Sequence, residues 1–200
     1  VEWSSRYSVN ESNPRIAAKV NDSAYQCTVI GNTPLPQNKV TSWSIKILKS
    51  NYNGCYIYIG ITPFDIDQNE CKFYNKYGWY FCCYDSTLYS GSPHNYRWKE
   101  YGPRREKGEY VHTGDSVGVA MDTTKGELSF VVDGVNLGAA YDEVPLDKPL
   151  LPCAIFGYEG DSVELDTSEV EETKLSSSIP VPTNVAIKNN ITWDTLTISW

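Results

Sequence analysis

Apolar and polar residues alternate over most of this 200-residue chain. A period of two is the mark of a strand with one buried and one wetter face. Trp43, Ile45 and Ile47 share one face of such a run, with Ser42, Ser44 and Lys46 on the other. Cys55, Ile57, Ile59 and Ile61 repeat it, opposite Tyr56 and Tyr58, and Trp79, Phe81 and Cys83 do so again, opposite Tyr80, Cys82 and Tyr84. Between 114 and 138, Val117, Val119 and Met121 alternate first, and Leu128, Phe130 and Val132 come after the polar turn Asp122-Thr123-Thr124-Lys125-Gly126. Asp133-Gly134 then favours a two-residue type I′ hairpin, because both positions tolerate the positive φ it requires. The stretch reads as a three-strand meander. Short alternating runs separated by Gly, Pro and Asn, with no long helical period, predict an all-β antiparallel sandwich with Trp43, Trp79 and Phe130 in its core.

The pattern fails after residue 167. Ser168 to Ser178 is acidic and then serine-rich, too poor in apolar residues to pack a core, and Pro180-Val181-Pro182 stiffens the chain beyond it. Residues 1–167 are therefore expected to form one domain and 168–180 a linker with one helical turn after Ser168. In 181–200, Val185-Ala186-Ile187 and Leu196 to Trp200 read as two further strands, too few to bury a sandwich core of their own. With no initiator Met and an abrupt end at Trp200, the chain is expected to be part of a longer protein.

Composition narrows the function. A net charge of −8 and a pI near 4.8 argue against nucleic acid, whose binding rests on Lys and Arg neutralising phosphates, and against an acidic membrane surface. No run approaches the roughly 18 apolar residues of a membrane span. Six cysteines stand at 27, 55, 71, 82, 83 and 153 without a Cys-x-x-Cys pair, and the two histidines, His94 and His112, sit in polar, turn-like contexts. No metal site or cofactor is expected, and the thiols are expected reduced and buried, as in an intracellular, cytoplasmic protein. Three Asn-x-Ser/Thr sequons, at Asn10, Asn21 and Asn190, are what chance yields in an Asn-rich chain. Glu164 and Asp166 would project from one strand face like paired glycosidase carboxylates. Alternation with Val163 and Leu165 fits a solvated face better, and neither a Gly-x-Ser-x-Gly elbow nor a phosphate loop occurs. The expected function is not enzymatic.

The wording of the meander, Gly114-Asp115, Gly118, Asp122, Gly126-Glu127-Leu128-Ser129-Phe130 and Gly134, followed by Leu151-Pro152, resembles the SPRY domain family. Trp43 to Ile47, Ile59-Gly60-Ile61-Thr62 and Gly78-Trp79 resemble its upstream strands, so the likeness spans about residues 3–167. It implies a bent, lectin-like sandwich of two antiparallel sheets that binds a short peptide or protein loop on one rim. Carried over by position, Ile155-Phe156-Gly157 resembles the triplet that presents a hydrophobic residue, an aromatic and a Gly to the ligand. Peptide-binding relatives have Trp where this chain has Phe156, so their Asn-rich peptide is not the expected ligand, but Phe156 is expected on the rim and outside the core. Thr33 and Pro34 in the loop 31–36 and Pro63 with Phe64 would supply further walls, and Tyr80 or Tyr84 the floor. Residues 181–200 resemble the start of a fibronectin type III domain.

Two other readings belong beside this one. The stretch 96–107 gathers Arg97, Trp98, Arg104 and Arg105 in an acidic chain, a second candidate surface for an acidic peptide or phosphate, since Arg forks onto carboxylate and phosphate oxygens. The alternative function is a lectin-like carbohydrate-binding module, for which Asp65-Ile66-Asp67-Gln68-Asn69-Glu70 is the one stretch rich in calcium-type oxygen donors. The isolated domain is expected to be monomeric.

Overall fold

The computed structural model describes residues 7–20, 27–31, 33–51, 55–65, 77–102 and 111–166. The expected linker and the stretch resembling a fibronectin domain lie outside them. Thirteen strands and no helix occur among the described residues: β1 Tyr7–Asn10, β2 Asn13–Lys19, β3 Cys27–Ile30, β4 Val40–Lys49, β5 Ile57–Pro63, β6 Trp79–Cys82, β7 Thr87–Ser90, β8 Lys99–Glu100, β9 Ser116–Asp122, β10 Glu127–Val132, β11 Val135–Tyr141, β12 Leu150–Phe156 and β13 Ser162–Asp166. They form a seven-stranded sheet, ordered β1-β2-β13-β4-β9-β10-β11, and a six-stranded sheet, ordered β3-β12-β5-β6-β7-β8. Every pairing is antiparallel.

The apolar faces read from the alternation are the inner faces. Trp43, Ile45, Ile47, Val117, Val119, Met121, Leu128, Phe130 and Val132 of the larger sheet pack with Ile57, Ile59, Ile61, Trp79, Phe81 and Cys83 in one buried cluster. The β9–β10–β11 meander is present, and Asp133 (φ 54°) and Gly134 (φ 71°) make the turn that Asp-Gly favours. Two phenols cross the core. The Tyr141 hydroxyl reaches the backbone carbonyls of Tyr80 (2.8 Å) and Tyr89 (2.9 Å) in the opposite sheet, and the Tyr101 hydroxyl donates to Gly138 O at 2.6 Å. Pro152 sits inside β12 at a tolerable place: its carbonyl accepts from Gly31 N, so its missing N–H faces the ragged end of the edge strand β3.

Strands β5, β6, β7 and β12 of the smaller sheet are buried on both faces. The sheet's outer face carries a second cluster of Ile30, Tyr58, Tyr80, Cys82, Tyr89, Leu151, Cys153 and Ile155. Register gives the sheet two distinct ends. At one, Phe156-Gly157 lies beside Cys55-Tyr56 and Cys83-Tyr84; at the other, Leu150 lies beside Pro63-Phe64, Leu35 and Tyr77-Gly78.

Candidate docking surface

The Gly157 end is a platform of tyrosines. The Tyr56 ring lies 5.5 Å from Tyr84 and 6.1 Å from Tyr158, and edge-on to buried Tyr58 at 5.6 Å. Tyr56 and Tyr84 are half-buried and Tyr158 is 39 % exposed, so each ring combines a packed edge with one open to solvent. Gly157 permits this packing: a Cβ there would stand 2.6 Å from the Tyr56 carbonyl oxygen and 3.0 Å from its ring.

Beneath the tyrosines lies a buried polar knot. Lys19, only 2 % exposed, donates from Nζ to the Gly157 carbonyl at 3.0 Å. Asp161, fully buried, accepts from Tyr158 N at 2.8 Å and Asn51 N at 2.9 Å, while the Asn51 side chain donates to the Glu159 carbonyl. Backbone bonds from Lys19 N to Asp161 O (2.9 Å) and Gly160 N to Lys19 O (2.8 Å) complete the tie. Burial pushes the Asp161 carboxyl above its ordinary range, against the opposing pull of those amides and of Lys19. A buried lysine and carboxylate are costly unless satisfied; here they fix the turn Gly157–Asp161 that presents Tyr158. Neither residue stands out in the sequence, although Lys19 closing the apolar run Ile16-Ala17-Ala18 is the one available signal.

The residues singled out from the sequence do not share one rim. Thr33, Pro34, Pro63 and Phe64 lie at the opposite end of the sheet from Gly157 and Tyr84. The six residue-to-residue steps of β12 from Leu150 to Phe156, which separate the two groups, span about 20 Å at the usual rise per strand residue. Phe156 is also corrected: it is 0 % exposed and belongs to the core between the sheets, because β12 alternates Leu150, Ala154 and Phe156 inward with Leu151, Cys153 and Ile155 outward. Ile155 and Tyr80 are buried in the outer-face cluster and form no open floor. Tyr84 and Gly157 remain at the platform, joined by Tyr56 and Tyr158, which alternation alone does not distinguish from other surface tyrosines.

At the other end, Thr33 and Pro34 are exposed, Phe64 is 56 % exposed, and Lys148 Nζ pairs with Asp65 at 2.7 Å. That pair occupies the first carboxylate of the supposed calcium stretch, whose remaining residues, 66–70, lie outside the described ones. The second candidate surface is described only in part. Trp98 is 62 % exposed at a positive φ of 55°, its ring 6.0 Å from Tyr89, and Arg97 is exposed; Arg104 and Arg105 lie outside the described residues. An apolar crevice of about 40 Å³ between the sheets, lined by Ala17, Val29, Ile45, Ala154, Val163 and Leu165, has room for little more than one water and none for a peptide.

Among the described residues, no three His, Cys, Asp or Glu side chains gather as a metal site. Cys55, Cys82, Cys83 and Cys153 are free and buried. Burial pushes the thiols of Cys82, Cys83 and Cys153 up.

A family model described as the SPRY domain matches residues 40–168. The chain is similar in fold to the crystallised SPRY domain of human HERC1, at 17 % identity and a TM-score of 0.62 over 82 % of this chain and 96 % of that one. A second human SPRY domain matches at 16 % identity and a TM-score of 0.64, covering 82 % and 97 %. The PSpry domain of TRIM65 matches at 12 % identity and 0.54, covering 82 % and 87 %. No curated protein matches the sequence.

Proposed function

This chain belongs to the SPRY domain family, whose members commonly serve as protein–protein interaction modules, and we propose that it captures a short peptide or protein loop of a partner at its Gly157 end. The observation that carries this reading is the convergence of Tyr56, Tyr84 and Tyr158 on the turn held by Lys19 and Asp161. Tyrosine buries a large ring at the cost of two rotatable bonds and keeps a hydroxyl for a partner's backbone, so a fixed group of them concentrates binding energy at little entropic cost. The role is docking without catalysis. Residues 1–167 act as the docking unit and 168–180 as a linker to 181–200, the start of a fibronectin type III domain, in a protein of the cell interior.

The test is selection of peptides from a random display library on the chain, followed by titration against variants. Tyr158→Ala and Tyr56→Ala are expected to weaken the selected peptides about 30-fold, the equivalent of about 2 kcal/mol, with folding checked by melting temperature. Phe64→Ala and Trp98→Ala are expected to leave binding unchanged. Equal affinity for all four variants and the parent, or loss confined to Phe64→Ala or Trp98→Ala, would overturn the assignment.

A further inference from the structure

The turn from Gly157 to Asp161 uses up most of its own backbone. Tyr158 N donates to the Asp161 carboxylate at 2.8 Å and Asp161 N to the Tyr158 carbonyl at 3.2 Å; Gly160 N donates to Lys19 O, and the carbonyls of Gly157 and Glu159 accept from Lys19 Nζ and the Asn51 side chain. A ligand that adds a strand needs a row of unpaired N–H and C=O groups, and the turn has little of that left. What it offers is ring surface. Tyr84 is tilted 55° and Tyr158 72° to Tyr56, at centroid distances of 5.5 Å and 6.1 Å. Rings set at such angles share no plane on which a flat sugar or base could stack; they wall two clefts, one on each side of Tyr56.

A peptide laid into such clefts takes its amides out of water and sets them against carbon. An N–H buried there without an acceptor is costly, and proline has none. A run of prolines also holds the polyproline II conformation before it binds, without internal hydrogen bonds, so it gives up little entropy on docking. Charge at the edges adds a flank. Glu159 is exposed on the turn and Asp85 is half-buried next to Tyr84. Against them stands one ammonium, exposed Lys49, whose Nζ would lie 3.4 Å from a Cβ at Gly160, because Lys19 is matched by Asp161. Two carboxylates to one cation favour a basic residue in the ligand.

We infer that the ligand of the Gly157 end is a proline-rich peptide in the polyproline II conformation, with prolines in the clefts beside Tyr56 and a Lys or Arg directed to Glu159. The inference rests on the docking reading given above and narrows it to one class of partner. Tilted tyrosine faces select the pyrrolidine ring, the committed backbone of the turn disfavours a strand-forming ligand, and the acidic edge selects the basic flank.

The experiment titrates the 200-residue chain with three synthetic peptides of equal length, each closed by an arginine at both ends: an all-proline run, the same run with alternate prolines changed to alanine, and a strand-forming run of alternating valine and threonine. The proline peptide is expected to bind, and the alanine and Val/Thr peptides to bind at least about 10-fold more weakly. Tyr56→Ala and Tyr158→Ala, with folding checked by melting temperature, are expected to weaken the proline peptide about 30-fold. Glu159→Gln is expected to weaken it about 3-fold, an effect that fades at high salt, and Phe64→Ala to leave it unchanged. Peptides from the display library that require Tyr158 but contain no proline, equal binding of the three synthetic peptides, or no binding of the proline peptide at about 1 mM would overturn this inference and leave the docking end standing. A proline peptide that binds Tyr56→Ala and Tyr158→Ala as tightly as the parent, or is lost only with Phe64→Ala, would overturn both.

Discussion

Phe156→Ala separates the structure from the reading of the sequence most sharply. A rim residue could be truncated without harm to folding, whereas a core residue could not. Phe156 is 0 % exposed, its β12 backbone is flanked by Cys27 of β3 and Ile57 of β5, and its ring belongs to the cluster that includes Ile57, Ile59 and Val163. An aromatic ring of this kind buries on the order of 150–200 Å², worth about 4 kcal/mol at about 25 cal/mol per Å². Phe→Ala changes in cores fall around 3–5 kcal/mol because the cavity closes only in part. Urea unfolding followed by far-UV circular dichroism reads this directly. With a slope of about 2 kcal/mol per M, the midpoint is expected to drop by about 2 M, close to the effect of Trp43→Ala at another inner-face position. A midpoint within about 0.5 M of the parent would refute the inward placement of Phe156 and return it to the surface.

Three further outcomes rest on the same packing. Tyr141→Phe removes the hydroxyl shared by the Tyr80 and Tyr89 carbonyls and is expected to cost about 1–2 kcal/mol, read as a lower urea midpoint; no change would mean the crossing bonds contribute nothing. Cys55, Cys82, Cys83 and Cys153 are buried, with the last three thiols pushed up, so iodoacetamide at pH 7.5 should spare all four natively and modify them in urea, as peptide mass mapping would reveal. The carboxyl of Asp161 is raised by burial, so its native state keeps a proton to higher pH than the unfolded chain does. Its contribution is fully present below the unfolded value and lost as pH rises through the folded one. The stability of the parent relative to Asp161→Asn should therefore decline from pH 3.5 to pH 7, and a difference constant with pH would contradict the shift.

The part of the fold legible in the sequence is the part that period two encodes. Trp43-Ile45-Ile47, Ile57-Ile59-Ile61 and Leu128-Phe130-Val132 each have one apolar face, and each turns that face inward. The motifs of the meander carry the family as well as the fold. In β12, Leu-Leu-Pro-Cys-Ala-Ile-Phe is apolar throughout because the sheet is buried on both faces, so nothing in the run says that Phe156 points inward and Ile155 outward. The end of the sheet at which a loop emerges depends on strand order and direction, which the succession of strands along the chain does not contain. The family resemblance, carried over by position, therefore groups Thr33 and Phe64 with Gly157, although β12 separates them. Lys19 and His94 act through partners distant in the chain, Gly157 and Trp79, and a lone Lys or His offers no spacing to betray such a contact.

The most direct test of docking at the Gly157 end is amide chemical-shift mapping of the isotope-labelled chain titrated with a library-selected peptide. Shifts concentrated at Tyr56, Tyr84, Gly157 and Tyr158 are the expected result. Shifts concentrated at Thr33, Phe64 and Tyr77, or around Arg97 and Trp98, with the tyrosine platform unmoved, would contradict it.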